Sequence, residues 1–212
     1  MTCRALAIGP SPPANRSSCP DEIRTFSQVK IRQELPSDLA AVEAVHRAAF
    51  GSHADVVVPL VDDLRRSLNS ELGLSLVAVG DAGTVVGHVL FTRNLLDSPA
   101  RLVDVQVLSP VGVRPDAQGQ GVGGHLIRHG IDRLVRDAVP AVFLEGPPAY
   151  YSRFGFSSGR DHGFRRPSLR IPESAFQVLL LPTYQFWMTG MLVYRREFWD
   201  HDAVGLRGVD RE

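Results

Sequence analysis

Lysine is almost absent from this 212-residue chain: Lys30 stands alone, and the other side chains that stay cationic at neutral pH are arginines. That bias carries no functional weight. Cysteine is scarce too. Cys3 and Cys19 both fall within the first 27 residues, so no disulfide can staple the remainder, and the framework of a small secreted protein is excluded. An excess charge of either sign is missing, with 23 basic residues against 23 acidic ones. No global field therefore draws the chain to nucleic acid or to anionic lipid. Long apolar runs are missing as well: none approaches the roughly 18–20 residues that span a bilayer. The start, Met1 to Pro10, lacks the apolar stretch of about 7–15 residues of a secretory signal. These absences predict a soluble, cytoplasmic chain without a nucleic-acid or membrane partner. What remains is an ordinary globular composition, 44% hydrophobic and 22% charged. Its length suits one domain, or at most two small ones, and is enough to bury a core without metals or disulfides.

Residues 1–27 are rich in Pro, Ser, Arg and Cys without periodicity, and read as a disordered or loosely packed leader. A domain is expected over 28–199 and a tail over 200–212. The alternation Val29-Lys30-Ile31-Arg32 predicts a first strand. Pro36-Ser37-Asp38 then announces a helix, with Leu39, Val42, Val45 and Ala49 at helical spacing. A second helix is expected over 55–69, with Val57, Leu60, Val61, Leu64 and Leu68 on its apolar stripe. Strands at 74–79 and 85–92 flank a turn at Asp81-Ala82-Gly83. A longer strand at 102–113 contains Ser109-Pro110, and proline cannot donate to a ladder, so a bulge or splay is expected there. A helix over 119–138, a strand at 141–144, a short helix at 148–154 and strands at 176–181 and 191–194 follow. A mixed α/β sheet covered by helices on both faces is the layered solution.

The most informative segment is Val111-Gly112-Val113-Arg114-Pro115-Asp116-Ala117-Gln118-Gly119-Gln120-Gly121-Val122-Gly123-Gly124. A strand leads into a turn with four glycines, and the turn opens a helix. The free N–H groups and positive dipole end of that helix suit a pyrophosphate. Gly119-x-Gly121-x-x-Gly124 also matches the dinucleotide pattern, with Glu145 about 20 residues on. In that fold the first glycine follows its strand almost directly, whereas five residues, Arg114 to Gln118, intervene here, so the match reads as coincidence. A P-loop is excluded because no Gly-Lys-Ser/Thr follows.

The same residues resemble the coenzyme A signature of the GNAT superfamily of N-acetyltransferases, Gln/Arg-x-x-Gly-x-Gly/Ala. Gln118, Gly121 and Gly123 fill its fixed positions. Downstream, Tyr150-Tyr151-Ser152-Arg153-Phe154-Gly155-Phe156 looks like the Tyr-x-Arg-Phe-Gly-Phe segment near that family's active site. The resemblance covers roughly residues 29–194. It implies a GNAT fold with a central sheet of about six to seven strands, whose fourth and fifth strands, here 102–113 and 141–144, splay around the pantetheine arm of acetyl-CoA. It also implies transfer of the acetyl group to a primary amine by direct attack, without an acyl-enzyme. Main-chain groups of Val111 and Val113 would pair with pantetheine. Gln118, Gly119, Gln120, Gly121, Val122, Gly123 and Gly124 would hold the phosphates.

Tyr151 corresponds to the position that protonates the departing thiolate in relatives; its other reading is an aromatic packing the short helix on the sheet. Histidines that serve as base on the fourth strand in some relatives are replaced here by Val107 and Ser109. Glu145 is the best remaining carboxylate, with Asp104 and His88 behind it, and each also reads as a structural group. His125 and His129 stand four apart on a polar helix face with no Glu between them, and no Cys/His cluster elsewhere has ligand spacing, so no metal is expected. His53, Asp55, Asp62 and Asp63 would attract a cationic amine, though a hydrated helix face accounts for them equally well. Tyr184, Phe186 and Trp187 suit either an acceptor cleft or a homodimer contact. A catalytically silent acyl-CoA-binding module is the alternative function.

Overall fold

The structure, a computed structural model, describes residues 29–66, 68 and 73–205. The expected leader over 1–27 and residues 206–212 lie outside the described residues. Nine strands among the described residues build one mixed sheet. β1 (Lys30–Gln33) leads into α1 (Leu39–Phe50) and α2 (Ala54–Arg66). β2 (Gly73–Val79), β3 (Val85–Asp97) and β4 (Leu102–Val113) follow as an antiparallel meander. After α3 (Val122–Arg136) the chain enters β5 (Ala141–Glu145), which pairs β4 in parallel. Then come α4 (Pro148–Tyr151), β6 (Ser157–Ser158), β7 (Phe164–Arg165), β8 (Phe176–Leu180), β9 (Gly190–Val193) and α5 (Arg196–Asp200). β8 joins β5 to β6, while β9 adds to β3 beside β7.

Strand alternation sorts the core onto two faces. Leu74, Leu76, Phe91, Val111, Val113, Val142 and Leu144 pack beneath α3, with its Leu126 and Ile127. On the other face, Leu90, Val105, Val107, Ala141 and Phe143 pack with Leu60 and Leu64 of α2 and Phe198 of α5. Val42 and Val45 of α1 cover Val77 and Val85.

Two of the boundaries that differ from the sequence reading bear on the sheet and on the glycine turn. β3 runs to Asp97 rather than Thr92, because its far end gains β9 as a second partner through Leu95–Val193 and Leu96–Leu192. The helix expected from 119 begins at Val122. Gly119 and Gly121 hold φ of +75° and +84°, left-handed values that no helix residue adopts. Beyond residue 199, Ala203 and Val204 are buried in the core under α2 and α5.

The feature that matters most lies at Ser109-Pro110. Val89 faces Val111 while Phe91 faces Leu108, so β4 carries one extra residue against β3. This is a β-bulge, which bends the strand that contains it. β4 pairs β5 only at Gln106–Val142 and Val107–Phe143. Past the bulge the two strands part.

Candidate active site

The gap exposes main-chain groups on one edge of β4. Arg114 N donates to Val86 O at 2.9 Å, which makes Val86–Arg114 a hydrogen-bonded position of the β3–β4 ladder. Bonded pairs alternate along an antiparallel ladder, which makes His88–Gly112 the next one. Val111 and Val113 then turn their N–H and C=O groups away from β3, toward the gap that β5 has left. The Val113 carbonyl accepts the side-chain amide of Gln118 at 2.9 Å, which ties the glycine turn to the strand end.

Beyond that tie the turn opens a cleft of about 550 Å³, bounded by Gln118, Gly119, Gly121 and the first turn of α3. This falls within the usual size of a ligand pocket. Nothing lies within 4 Å of where a Cβ would stand on Gly119 or Gly121, so a ligand can reach this backbone. Gln120 bonds back to the Asp116 carbonyl at 3.1 Å. Val122 and Gly123 face the cleft with buried backs, and His125 and Gly124 lie on its rim.

Two arginines also border the cleft. Arg153 stacks its guanidinium 3.9 Å from the Tyr150 ring centroid, and Arg128 lies 5.1 Å from that of Phe154. Sequence reasoning left both out. The signal was present, since Arg128 sits two turns into α3 and Arg153 two residues past Tyr151. Nothing local said that α4 would bring them to one cleft.

At the floor of the gap a pocket of about 10 Å³, the space of about one water molecule, is lined by Ser109, Pro110, Val111, Glu145 and Tyr151. The two side chains come from opposite faces. Glu145 follows Ala141 and Phe143 in facing α2 and α5, whereas Tyr151 belongs to the core beneath α3. Burial raises the Glu145 pKa from 4.5 to about 7, against the lowering pull of its bonds to Tyr194 and Gly205 and of the Arg170 charge. The Tyr151 side chain is fully buried, and its hydroxyl has no hydrogen-bond partner among the described residues. Burial, and after it Tyr150, holds this phenol well above its ordinary value, so it stays protonated.

The other polar candidates lie elsewhere. His88 is fully buried and bonds His46 at 2.7 Å and Ser75 at 2.8 Å. Glu34 and Arg65 complete that cluster, which packs beneath Gly112 on the face of α1. Asp104 is exposed and forks with Arg93 at 2.6 Å and 2.7 Å. His129 is exposed on α3. Among the described residues no group of three His, Cys, Asp or Glu is placed to hold a metal ion, and no helix is long and apolar enough to cross a membrane.

Residues 30–159 match the family model of the GNAT acetyltransferase domain. The chain belongs to the GNAT acetyltransferases. The uncharacterized N-acetyltransferase YhbS of Escherichia coli K12 is 36% identical over 171 residues, covering 79% of this chain and 97% of that protein. YjhQ of the same strain is 39% identical over 144 residues, covering 65% and 74%. The crystal structure of Escherichia coli YhbS in complex with CoA superposes with a TM-score of 0.71 at 34% identity, covering 80% of this chain and 91% of that one. A Brucella melitensis GNAT acetyltransferase in complex with acetyl-CoA gives 0.64 at 32%, covering 81% and 98%. Within a GNAT chain the dinucleotide-like spacing of Gly119, Gly121 and Gly124 is a coincidence of glycine-rich turns.

Proposed function

We propose that this enzyme moves the acetyl group of acetyl-CoA to a primary amine by direct attack in the gap between β4 and β5. One observation carries the reading: the open edge of β4 joins the cleft at the start of α3 to the pocket that holds Glu145 and Tyr151. The relatives solved with CoA and acetyl-CoA support it. The phosphates would lie against the N-terminus of α3, where unpaired N–H groups and the helix dipole favour anions, with Arg128 and Arg153 beside them. Pantetheine would run along β4 and pair with Val111 and the Val113 N–H.

The roles follow from position. An amine attacks only as the free base, and a carboxylate with a pKa near 7 is suited to take its proton at neutral pH. As nitrogen bonds to the carbonyl carbon, the oxygen gains charge that a main-chain donor at Val111 would stabilise. Collapse breaks the carbon–sulfur bond, and the thiolate takes a proton from Tyr151 on the opposite face. A phenol of such high proton affinity must regain its proton at once. Glu145, which has just taken one from the amine, lines the same pocket.

The test is a thiol-release screen with acetyl-CoA against polyamines, aminoglycosides and peptide N-termini. The reading expects acceptor-dependent release of CoA that the Glu145→Gln enzyme loses. Tight CoA binding without release for any acceptor would instead identify a silent acyl-CoA-binding module.

A further inference from the structure

Glu145 is held by groups distant in sequence. The Tyr194 hydroxyl, 49 residues away, donates to its Oε1 at 2.9 Å, and the main-chain N–H of Gly205 donates to its Oε2 at 3.2 Å. Tyr194 is 6% exposed, and its ring packs against Phe198 with centroids 4.9 Å apart. Residues 194–205 thus form a strap across the α2 face of the gap. Three polar links tie it down: Arg195 N to Asn94 at 2.8 Å, His201 to Asp63 at 2.6 Å, and Arg170 to Asp202 at 2.8 Å. At its end Gly205 has φ of +62°, and a Cβ there would stand 2.5 Å from the Arg170 carbonyl carbon. The strap is pressed onto the Arg170–Ile171 backbone, which fixes where the Gly205 N–H points.

We propose that Tyr194 is a positioning residue of the acetyl transfer: its hydroxyl and the Gly205 N–H grip both oxygens of Glu145, holding it in the pocket as a hydrogen-bonded carboxylate. This rests on Glu145 being the base. A carboxylate sunk in an apolar floor tends to keep its proton, and a protonated Glu145 accepts nothing from an amine. Hydrogen bonds to the charged form oppose that tendency, and charge-assisted ones are the stronger kind. The titratable and charged groups that face Glu145 are Tyr194 itself, Tyr151 across the pocket, and Arg170, which is paired with Asp202. Of these only Tyr194 donates a side-chain hydrogen bond to the carboxylate.

The experiment reads Glu145 directly. In protein labelled with carbon-13 at glutamate carboxyls, the Glu145 resonance is the one that Glu145→Gln removes, and its titration midpoint gives the proton affinity without any acceptor. Tyr194→Phe should raise that midpoint by about one pH unit or more, as the loss of a hydrogen bond to a charged group predicts. The acid limb of the kcat/KM profile should rise by the same amount. At about pH 6 the rate should fall roughly tenfold, while the plateau at high pH is kept. If Tyr194→Phe fails to fold, Tyr194→fluorotyrosine keeps the hydroxyl as a stronger donor and should move the midpoint down. An unmoved midpoint in the variant that folds overturns the proposal, because a structural tyrosine would change stability alone. An acid limb that Glu145→Gln leaves in place overturns the base assignment instead.

Discussion

Glu145→Gln separates the chemistry of this site from its stability. The folded enzyme holds the Glu145 proton with a pKa of about 7 against 4.5 for the free side chain, a difference of about 2.5 units. At about 1.4 kcal/mol per unit this is roughly 3 kcal/mol. The sign is unfavourable. The folded state binds this proton more tightly than the unfolded state, so folding loses stability as pH rises from 4.5 to about 7, and the loss is complete above that. Glutamine carries no such burden, but its amide offers one acceptor oxygen where the Tyr194 hydroxyl and the Gly205 N–H each held an oxygen of the carboxylate, and the weakened grip costs about 1 kcal/mol. The variant should therefore be more stable than the parent by about 2 kcal/mol at about pH 8, and less stable by about 1 kcal/mol near pH 4.5. Urea unfolding at the two pH values reads this crossover, while kcat should fall by roughly 10²–10⁴. A stability difference that does not change with pH would refute the raised proton affinity. Wild-type turnover would refute the role of base.

Tyr151→Phe removes a buried hydroxyl that has no partner, so thermal stability should hold or rise by up to about 1 kcal/mol. Turnover should fall roughly 10²–10⁴ if that hydroxyl protonates the thiolate, whereas Tyr150→Phe should leave kcat nearly unchanged; equal kinetics of the two variants in a thiol-release assay would count against the acid. Gly130→Ala would place a Cβ 2.2 Å from the ring of fully buried Phe91, where α3 meets the sheet. Chemical denaturation should show a loss of about 1–3 kcal/mol, the usual range for overpacking.

How much of this was legible in the sequence depends on how local the cause is. The strand 102–113 was visible as an apolar alternation, and Pro110 announced the bulge because a missing N–H is a property of one residue. The glycine turn was visible as a composition, but not the sign of φ, so residues 119–121 read as helix. The strand from Val85 read as ending at Thr92, short of Asn94. The Asn94 side chain in fact accepts from Arg195 N, 101 residues away, where β9 extends the sheet. His46 and His88 meet across 42 residues, and nothing in either neighbourhood signals a buried pair. The grip on Glu145 spans 49 and 60 residues. Ala203 and Val204 form too short an apolar run to stand out, and so residues 200–205 read as tail.

The account turns on acetyl-CoA lying with its phosphates against the start of α3, and calorimetry on two variants of Gly121 tests this most directly. At φ of +84° any side chain introduces strain, so Gly121→Ala serves as the reference for it. Gly121→Glu adds to the same strain a carboxylate facing the open cleft, where no atom lies within 4 Å of its Cβ. With both variants folded, acetyl-CoA should bind Gly121→Glu at least about tenfold more weakly than Gly121→Ala, about 1.4 kcal/mol. Equal affinity of the two variants would contradict the account, because a carboxylate at residue 121 would then stand nowhere near a phosphate.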